Sequence, residues 1–213
     1  ESGSSICQLW GMTELAAGTF SRPEMGLKIA TRSAGPAAPG NEVRVVSSGS
    51  GDYLSPGNEG ELQVRGSSVF PGYLNNPEAN LEAFTAEGWF RTGDLAIIDG
   101  SGNLTITGRI KDIINRGGVK YNPADIEEII FTHPKVAVTA IVPVPDSKLG
   151  ERACCFVQLI PGKTTSLDEI TEFLAKKNVS KNKWPERLEI VDDMPLTPTR
   201  KVIKGKLASM LAD

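Results

Sequence analysis

The sequence contains a single histidine, His133, in 213 residues. A zinc site built on several imidazoles is therefore hard to assemble, and a Ser-His-Asp triad would have no base to spare. His133 precedes Pro134 just after an expected helix, where a capping or loop role stands beside a catalytic one. Cysteine is scarce too. Two of the three, Cys154 and Cys155, are adjacent within the apolar run ACCFVQLI and are expected to be small buried thiols, not a disulfide scaffold. That usage makes the cytoplasm the expected compartment. No run of about 18 apolar residues exists, so no membrane span is expected. The N-terminal segment ESGSSICQLWG lacks a basic region and a long apolar region. It reads as a cut inside a folded domain, not as a signal peptide. No dense Lys/Arg run is interleaved with aromatics, so nucleic acid is not an expected partner.

What remains is an ordinary globular composition, 39% hydrophobic and 23% charged, in a chain long enough for two domains. Charge is uneven. Through Gly108 there are 6 Lys/Arg against 12 Asp/Glu; from Arg109 onward there are 17 against 14. The change places a boundary near residue 108 and gives the second part a basic balance suited to polyanionic ligands.

The first part reads as β-rich. Glu42–Val46, Glu61–Val64, Leu95–Ile98 and Leu104–Thr107 have strand character, and Asp99–Gly102 supplies a hairpin turn. One helix interrupts them at Pro77–Phe84, with Leu81 and Phe84 on one face. The second part is mixed. Asn122-Pro123 opens a helix with Ile126, Ile129 and Ile130 as its apolar stripe. Strands are expected at Val136–Val144, Cys154–Ile160 and Leu188–Val191. Helices are expected at Leu167–Lys177, with Ser166 and Glu169 as a capping box, and at Val202–Leu211. The expected fold class is α+β: a small β-rich, barrel-like subdomain over 1–108, then a mobile α+β domain over 109–213.

Several segments carry chemistry. In Gly11-Met12-Thr13-Glu14, a hydroxyl beside a carboxylate can ligate Mg2+ and touch phosphate oxygens. The same residues could cap a helix. In Thr92-Gly93-Asp94, the carboxylate could accept both hydroxyls of a ribose, or bond its own backbone in a turn. Arg109 offers a rigid fork of donors for the same ligand. Arg116-Gly117-Gly118 is a loop whose N–H groups could meet phosphate.

These segments, LWGMTE (9–14), WFRTGDL (89–95), TGRIKDIINRGGVKYNPADIE (107–127) and PLTPTRK (195–201), resemble in order the C-terminal motifs of the adenylate-forming enzymes. That family includes acyl- and aryl-CoA synthetases. The resemblance implies that Thr13 contacts nucleotide phosphate, Glu14 holds magnesium, and Trp10, where tyrosine is usual, flanks adenine or substrate beside Gly11. Asp94 and Arg109 would bind the ribose or phosphate. Lys111 would be the hinge, and Gly117, Gly118 and Lys120 would enter the site for the second half-reaction. Lys201 would bridge the attacking carboxylate and the α-phosphate. Arg200 departs from the family pattern, standing where glycine is usual, and would cost on the order of 1 kcal/mol if φ is positive there. Lys204 and Lys206 read as surface charges. GEL at 60–62 and PGY at 71–73 resemble an intervening segment that serves folding. The phosphate loop and most of the acyl pocket of such enzymes have no counterpart, so the chain resembles a fragment covering about the last two fifths of a member and is expected to be inactive alone.

The implied parent is an AMP-forming acyl-CoA ligase, of a kind found in fatty acid metabolism. It would use ATP, Mg2+, coenzyme A and a carboxylic acid and work by domain alternation. Loading of a carrier protein with an aryl acid, a non-catalytic nucleotide- or partner-binding remnant, and homo-oligomer formation all stay open.

Overall fold

The computed structural model describes residues 4–211. The chain divides into two compact units, Glu1–Ile110 and Lys111–Asp213. Among the described residues no helix is long and apolar enough to cross a membrane.

In the first unit, β1 (Leu9–Trp10) and β2 (Thr19–Phe20) form an antiparallel pair, followed by the short helix α1 (Gly26–Ala30). Four antiparallel strands then lie in the order β3 (Asn41–Val46), β4 (Glu59–Gly66), β5 (Phe90–Ile98), β6 (Leu104–Arg109). Helix α2 (Pro77–Ala83) interrupts them; the Asn76 side chain accepts the Ala79 N–H at 3.1 Å, and Pro77 fills the first turn, where its missing N–H costs nothing. The core gathers Leu15, Val45, Leu62, Val64, Phe90, Ala96 and Leu104, with Trp10, Met12 and Phe84 packed against it. Each fully buried aliphatic or phenyl group contributes about 1.5–3 kcal/mol. Phe70, Phe84 and Phe90 form a ring cluster with centroids 5.4–5.7 Å apart. Leu81, expected to share the packed face of α2 with Phe84, is 81% exposed. Phe84 is reached because the chain leaves the helix there in extended conformation and bridges Phe90.

The second unit is built on a five-stranded sheet. Strands β7 (Ile114–Arg116) and β8 (Val119–Tyr121) form a tight hairpin, and α3 (Pro123–Phe131) follows with Asn122 as its N-cap. The long hairpin of β9 (Val136–Asp146) and β10 (Gly150–Leu159) is next. Strand β10 pairs antiparallel with β9 and parallel with β11 (Arg187–Ile190), and its first residue meets Arg116 of β7. Helix α4 (Leu167–Lys176) connects β10 to β11, and α5 (Lys204–Ser209) closes the chain. Both faces of β10 are buried, which explains its nearly unbroken apolar run. Ala153, Cys155 and Val157 join the core under α3 and α4; Cys154 and Phe156 join a second cluster with Met194 and Leu207. Burial pushes both thiols up to about 12, so neither is a reactive thiolate near neutral pH.

Two local expectations need correction. The Glu169 N–H donates to Ser166 Oγ at 3.2 Å, but the Glu169 carboxylate turns to Lys135 Nζ at 2.7 Å, so only half of the capping box forms. The last helix begins at Lys204, not Val202, because Val202 bridges Leu196 across a hairpin. His133 is buried, its Nδ1 accepts the Lys135 N–H at 3.3 Å, and its ring stands edge-on to Phe173. That is the loop role.

Candidate nucleotide-binding site

Asp94 owes its position to a break in sheet register. Glu61 faces Leu95 and Gln63 faces Arg91, so Thr92, Gly93 and Asp94 together oppose Leu62. Gly93 takes φ 71°, in the left-handed region that glycine enters without strain. Thr92 Oγ1 donates to the Leu62 carbonyl at 2.8 Å and accepts the Asp94 N–H at 3.1 Å, closing the bulge. Bulges of this kind re-aim one side chain. The Asp94 side chain is only 6% exposed and paired on both oxygens: Arg109 Nε lies 3.0 Å from Oδ1, and Trp10 Nε1 donates to Oδ2 at 2.9 Å. The carboxylate therefore bonds side chains, and the alternative of a turn closed on its own backbone is not what forms. Arg109 faces Asp94 across the β5–β6 ladder and is half exposed.

Trp10 ends β1, and its ring lies where a side chain on Gly18 would stand; a Cβ there would collide with the six-membered ring. Gly11 is equally constrained, since a Cβ would collide with the Ala16 carbonyl oxygen. Thr13 and Glu14 lie in a turn closed by the Leu15 N–H on the Met12 carbonyl at 3.2 Å. No helix starts there, so the helix-capping alternative falls away. Thr13 is exposed. Glu14 Oε1 accepts the Tyr73 hydroxyl at 3.0 Å, and the Glu14 carbonyl accepts the Phe70 N–H at 2.8 Å. The PGY segment thus reaches a candidate site residue to which no sequence pattern links it.

The remaining candidates lie in the second unit. Lys111 is exposed, in a single 3-10 turn at Ile110–Asp112, and is that unit's first residue. Gly117 (φ 58°) and Gly118 (φ 88°) are the two central residues of the β7–β8 hairpin, both positive as a two-residue turn of this hand requires. The Gly117 N–H is already spent on the Leu149 carbonyl at 2.8 Å, which corrects the picture of a loop with both amides free for phosphate. Arg116 Nε pairs with Glu186 at 2.5 Å, and Lys120 is exposed on β8.

Lys201 belongs to a second hairpin. Leu196 bridges Val202, the Thr197 N–H donates to the Lys201 carbonyl at 2.8 Å, and the Lys201 N–H donates to Thr197 Oγ1 at 3.0 Å. The three-residue loop Pro198–Arg200 ends in the left-handed position, occupied by Arg200 at φ 63°. Glycine avoids strain there, so the arginine carries the cost anticipated from the sequence. Lys201 itself is exposed. Lys204 is not a free surface charge: it pairs with Glu127 at 2.8 Å with its side chain 24% exposed.

Magnesium normally keeps several waters and binds through one or two carboxylates plus substrate phosphates. Among the described residues no group of three or more His, Cys, Asp or Glu could hold a metal ion, but a single carboxylate at Glu14 fits that nucleotide-assisted mode.

Comparison with known proteins agrees with this architecture. The family described as AMP-binding enzyme matches residues 1–74, and the AMP-binding enzyme C-terminal domain matches residues 125–201. The chain belongs to the AMP-binding, adenylate-forming enzymes. It is 37% identical over 203 residues to a medium-chain fatty-acid–CoA ligase of Escherichia coli, covering 95% of this chain and 36% of that protein. It is 38% identical over 211 residues to a salicylyl-CoA synthase / salicylate adenylyltransferase of a Streptomyces species, covering 98% of this chain and 38% of that protein. Among solved structures it resembles ATP-bound MatB from Rhodopseudomonas palustris, with a TM-score of 0.90 and 33% identity over 100% of this chain and 42% of that one. The chain therefore spans about two fifths of the relatives it matches.

Proposed function

We propose that the complete protein joins a carboxylic acid to coenzyme A through an acyl adenylate. A carboxylate oxygen of the acid attacks the α-phosphorus of ATP, the bond to the β-phosphate oxygen breaks, and pyrophosphate leaves. The CoA thiolate then attacks the acyl carbonyl, and AMP leaves with the bridging oxygen. The observation that carries this reading is the Asp94 carboxylate, buried at the bulge and held by Arg109 and Trp10. Each carboxylate oxygen has a second lone pair, so the group can still accept ribose hydroxyls.

In this reading Thr13 donates to a phosphate oxygen, and Trp10, beside Gly11, flanks adenine or the substrate. Glu14 holds magnesium, which supplies positive charge beside the phosphates when bound. Lys201 places an ammonium where negative charge builds, an effect worth roughly 10²–10³ in rate. Lys111 serves as the pivot between half-reactions, after which Gly117 and Gly118 line the path of CoA and Lys120 contacts the nucleotide. Arg200 adopts the left-handed geometry of its hairpin, so the loop that presents Lys201 keeps its form. That supports an enzyme over a non-catalytic remnant. We place the protein in the cytoplasm.

The test is carboxylate-dependent ATP–pyrophosphate exchange by the complete polypeptide across aryl, cyclic and linear acids, beside Lys201→Ala. Exchange restricted to one acid class and lost in the variant supports the reading; exchange that survives the substitution removes Lys201 from the mechanism. Thioester formation with free CoA separates a CoA ligase from an enzyme that loads a carrier protein.

A further inference from the structure

Residue 14 is gripped twice by one short segment. The Phe70 N–H holds its carbonyl at 2.8 Å, and the Tyr73 hydroxyl holds its carboxylate oxygen Oε1 at 3.0 Å. The grip is itself fixed. Asn80, on α2, accepts the Tyr73 N–H through Oδ1 at 2.6 Å and donates to the Tyr73 carbonyl through Nδ2 at 3.0 Å. The tyrosine ring stands edge-on to Phe70, 4.8 Å between centroids. Gly72 takes φ 138° beneath that amide, where a Cβ would come within 2.9 Å of Asn80 Oδ1. Backbone, ring and hydroxyl of Tyr73 are all restrained, and the freedom removed is that of a carboxylate on an otherwise open turn.

A carboxylate can only accept and a phenol hydroxyl can donate, so the bond runs from Tyr73 to Glu14. The bond to Oε1 fixes the rotation of the carboxylate while both oxygens keep lone pairs for a ligand. Hydrogen bonds of this kind orient the carboxylates that bind metals, and losing one typically costs 10–100-fold in metal affinity or activity.

We propose that Tyr73 is a positioning residue for Glu14, holding its carboxylate in the orientation that takes the divalent cation accompanying the nucleotide phosphates. This rests on the reading of Glu14 as the metal-binding carboxylate. The aromatic ring supplies packing; the hydroxyl supplies the orientation. The two contributions can be separated because phenylalanine keeps the first and deletes the second.

The experiment measures Mn2+ binding to the ATP complex of the complete polypeptide, by electron paramagnetic resonance of free Mn2+, for the parent protein, Tyr73→Phe, Asn80→Ala and Glu14→Gln. The expected result is about tenfold weaker Mn2+ binding or more in Tyr73→Phe with an unchanged melting temperature, a smaller loss in Asn80→Ala, and at least as large a loss in Glu14→Gln. Replacing Tyr73 with 4-aminophenylalanine, which restores a donor at the same place, should recover most of the affinity. Parent-like binding in Tyr73→Phe while Glu14→Gln weakens it overturns the role of Tyr73 and leaves that of Glu14 intact. Parent-like binding in Glu14→Gln overturns both.

Discussion

The two units hold their candidate groups in opposite ways. In the first, Asp94 is almost wholly covered and bonded on both oxygens, and Glu14 is tied to Tyr73. In the second, Lys201 and Lys120 are exposed beside or on tight hairpins, and the paired glycines form a hairpin tip. A group fixed before the ligand arrives contributes orientation at little further entropic cost. A group on a stiff turn can be delivered to charge that appears only during reaction. The first unit offers carboxylates that are already paired, the second exposed cations and a backbone turn.

Substitutions should separate these modes. The largest effect falls on Lys201→Ala. Exchange should drop roughly 10²–10³-fold with the thermal midpoint unchanged, because the side chain is exposed and the hairpin is closed by backbone and Thr197. A midpoint that falls alongside activity would mean that Lys201 also supports the fold.

Asp94→Ala should behave differently, weakening ATP binding and also lowering stability. Arg109 Nε and Trp10 Nε1 lose their acceptor, at a cost of about 1–3 kcal/mol in denaturant unfolding. Full stability in this variant would show that the buried pair is not needed for folding.

Arg200→Gly tests the delivery side. It relieves a left-handed arginine and should stabilise the protein by about 1 kcal/mol or less, part of the gain being lost to the freedom of glycine when unfolded. A lower unfolding midpoint would mean that the Arg200 side chain supplies more than its backbone costs.

The smallest effect is a pH dependence at His133. Burial lowers its proton affinity, outweighing the opposing pull of Glu169. The unfolded chain then binds the proton more readily than the fold, so stability is fully present above about 6.5 and declines as pH falls below it. His133→Gln should flatten the unfolding midpoint over that window, and an equally steep profile would assign the decline to other groups.

Much of this arrangement is legible in the sequence, for identifiable reasons. The alternation of Glu42–Val46, the stripe at Ile126, Ile129 and Ile130, and the caps Asn122 and Ser166 depend on near neighbours, and each lies in the expected element. The glycine-to-arginine departure at 200 also points to a backbone requirement that the structure shows. What the sequence hides depends on partners distant along the chain. Trp10 bonds Asp94 across 84 residues, and Tyr73 bonds Glu14 across 59. The bulge at Thr92–Asp94 follows from pairing with Leu62, which no local pattern encodes. Strands β7 and β8 are only three residues each, too short for an alternation to register, so their turn is visible in the sequence but their hairpin is not.

The adjacent cysteines have a consequence for how the second unit opens. Cys154 and Cys155 project to opposite sides of one strand, so two apolar clusters share a single backbone that is paired with β9, β11 and β7. Solvent cannot reach either cluster through β10 without disturbing the ladder that serves the other. In a hydrogen-exchange experiment the amides of Cys154, Cys155 and Phe156 should be among the last to take up deuterium, through openings that approach global unfolding. The Gly117–Gly118 hairpin tip should exchange through small, frequent fluctuations.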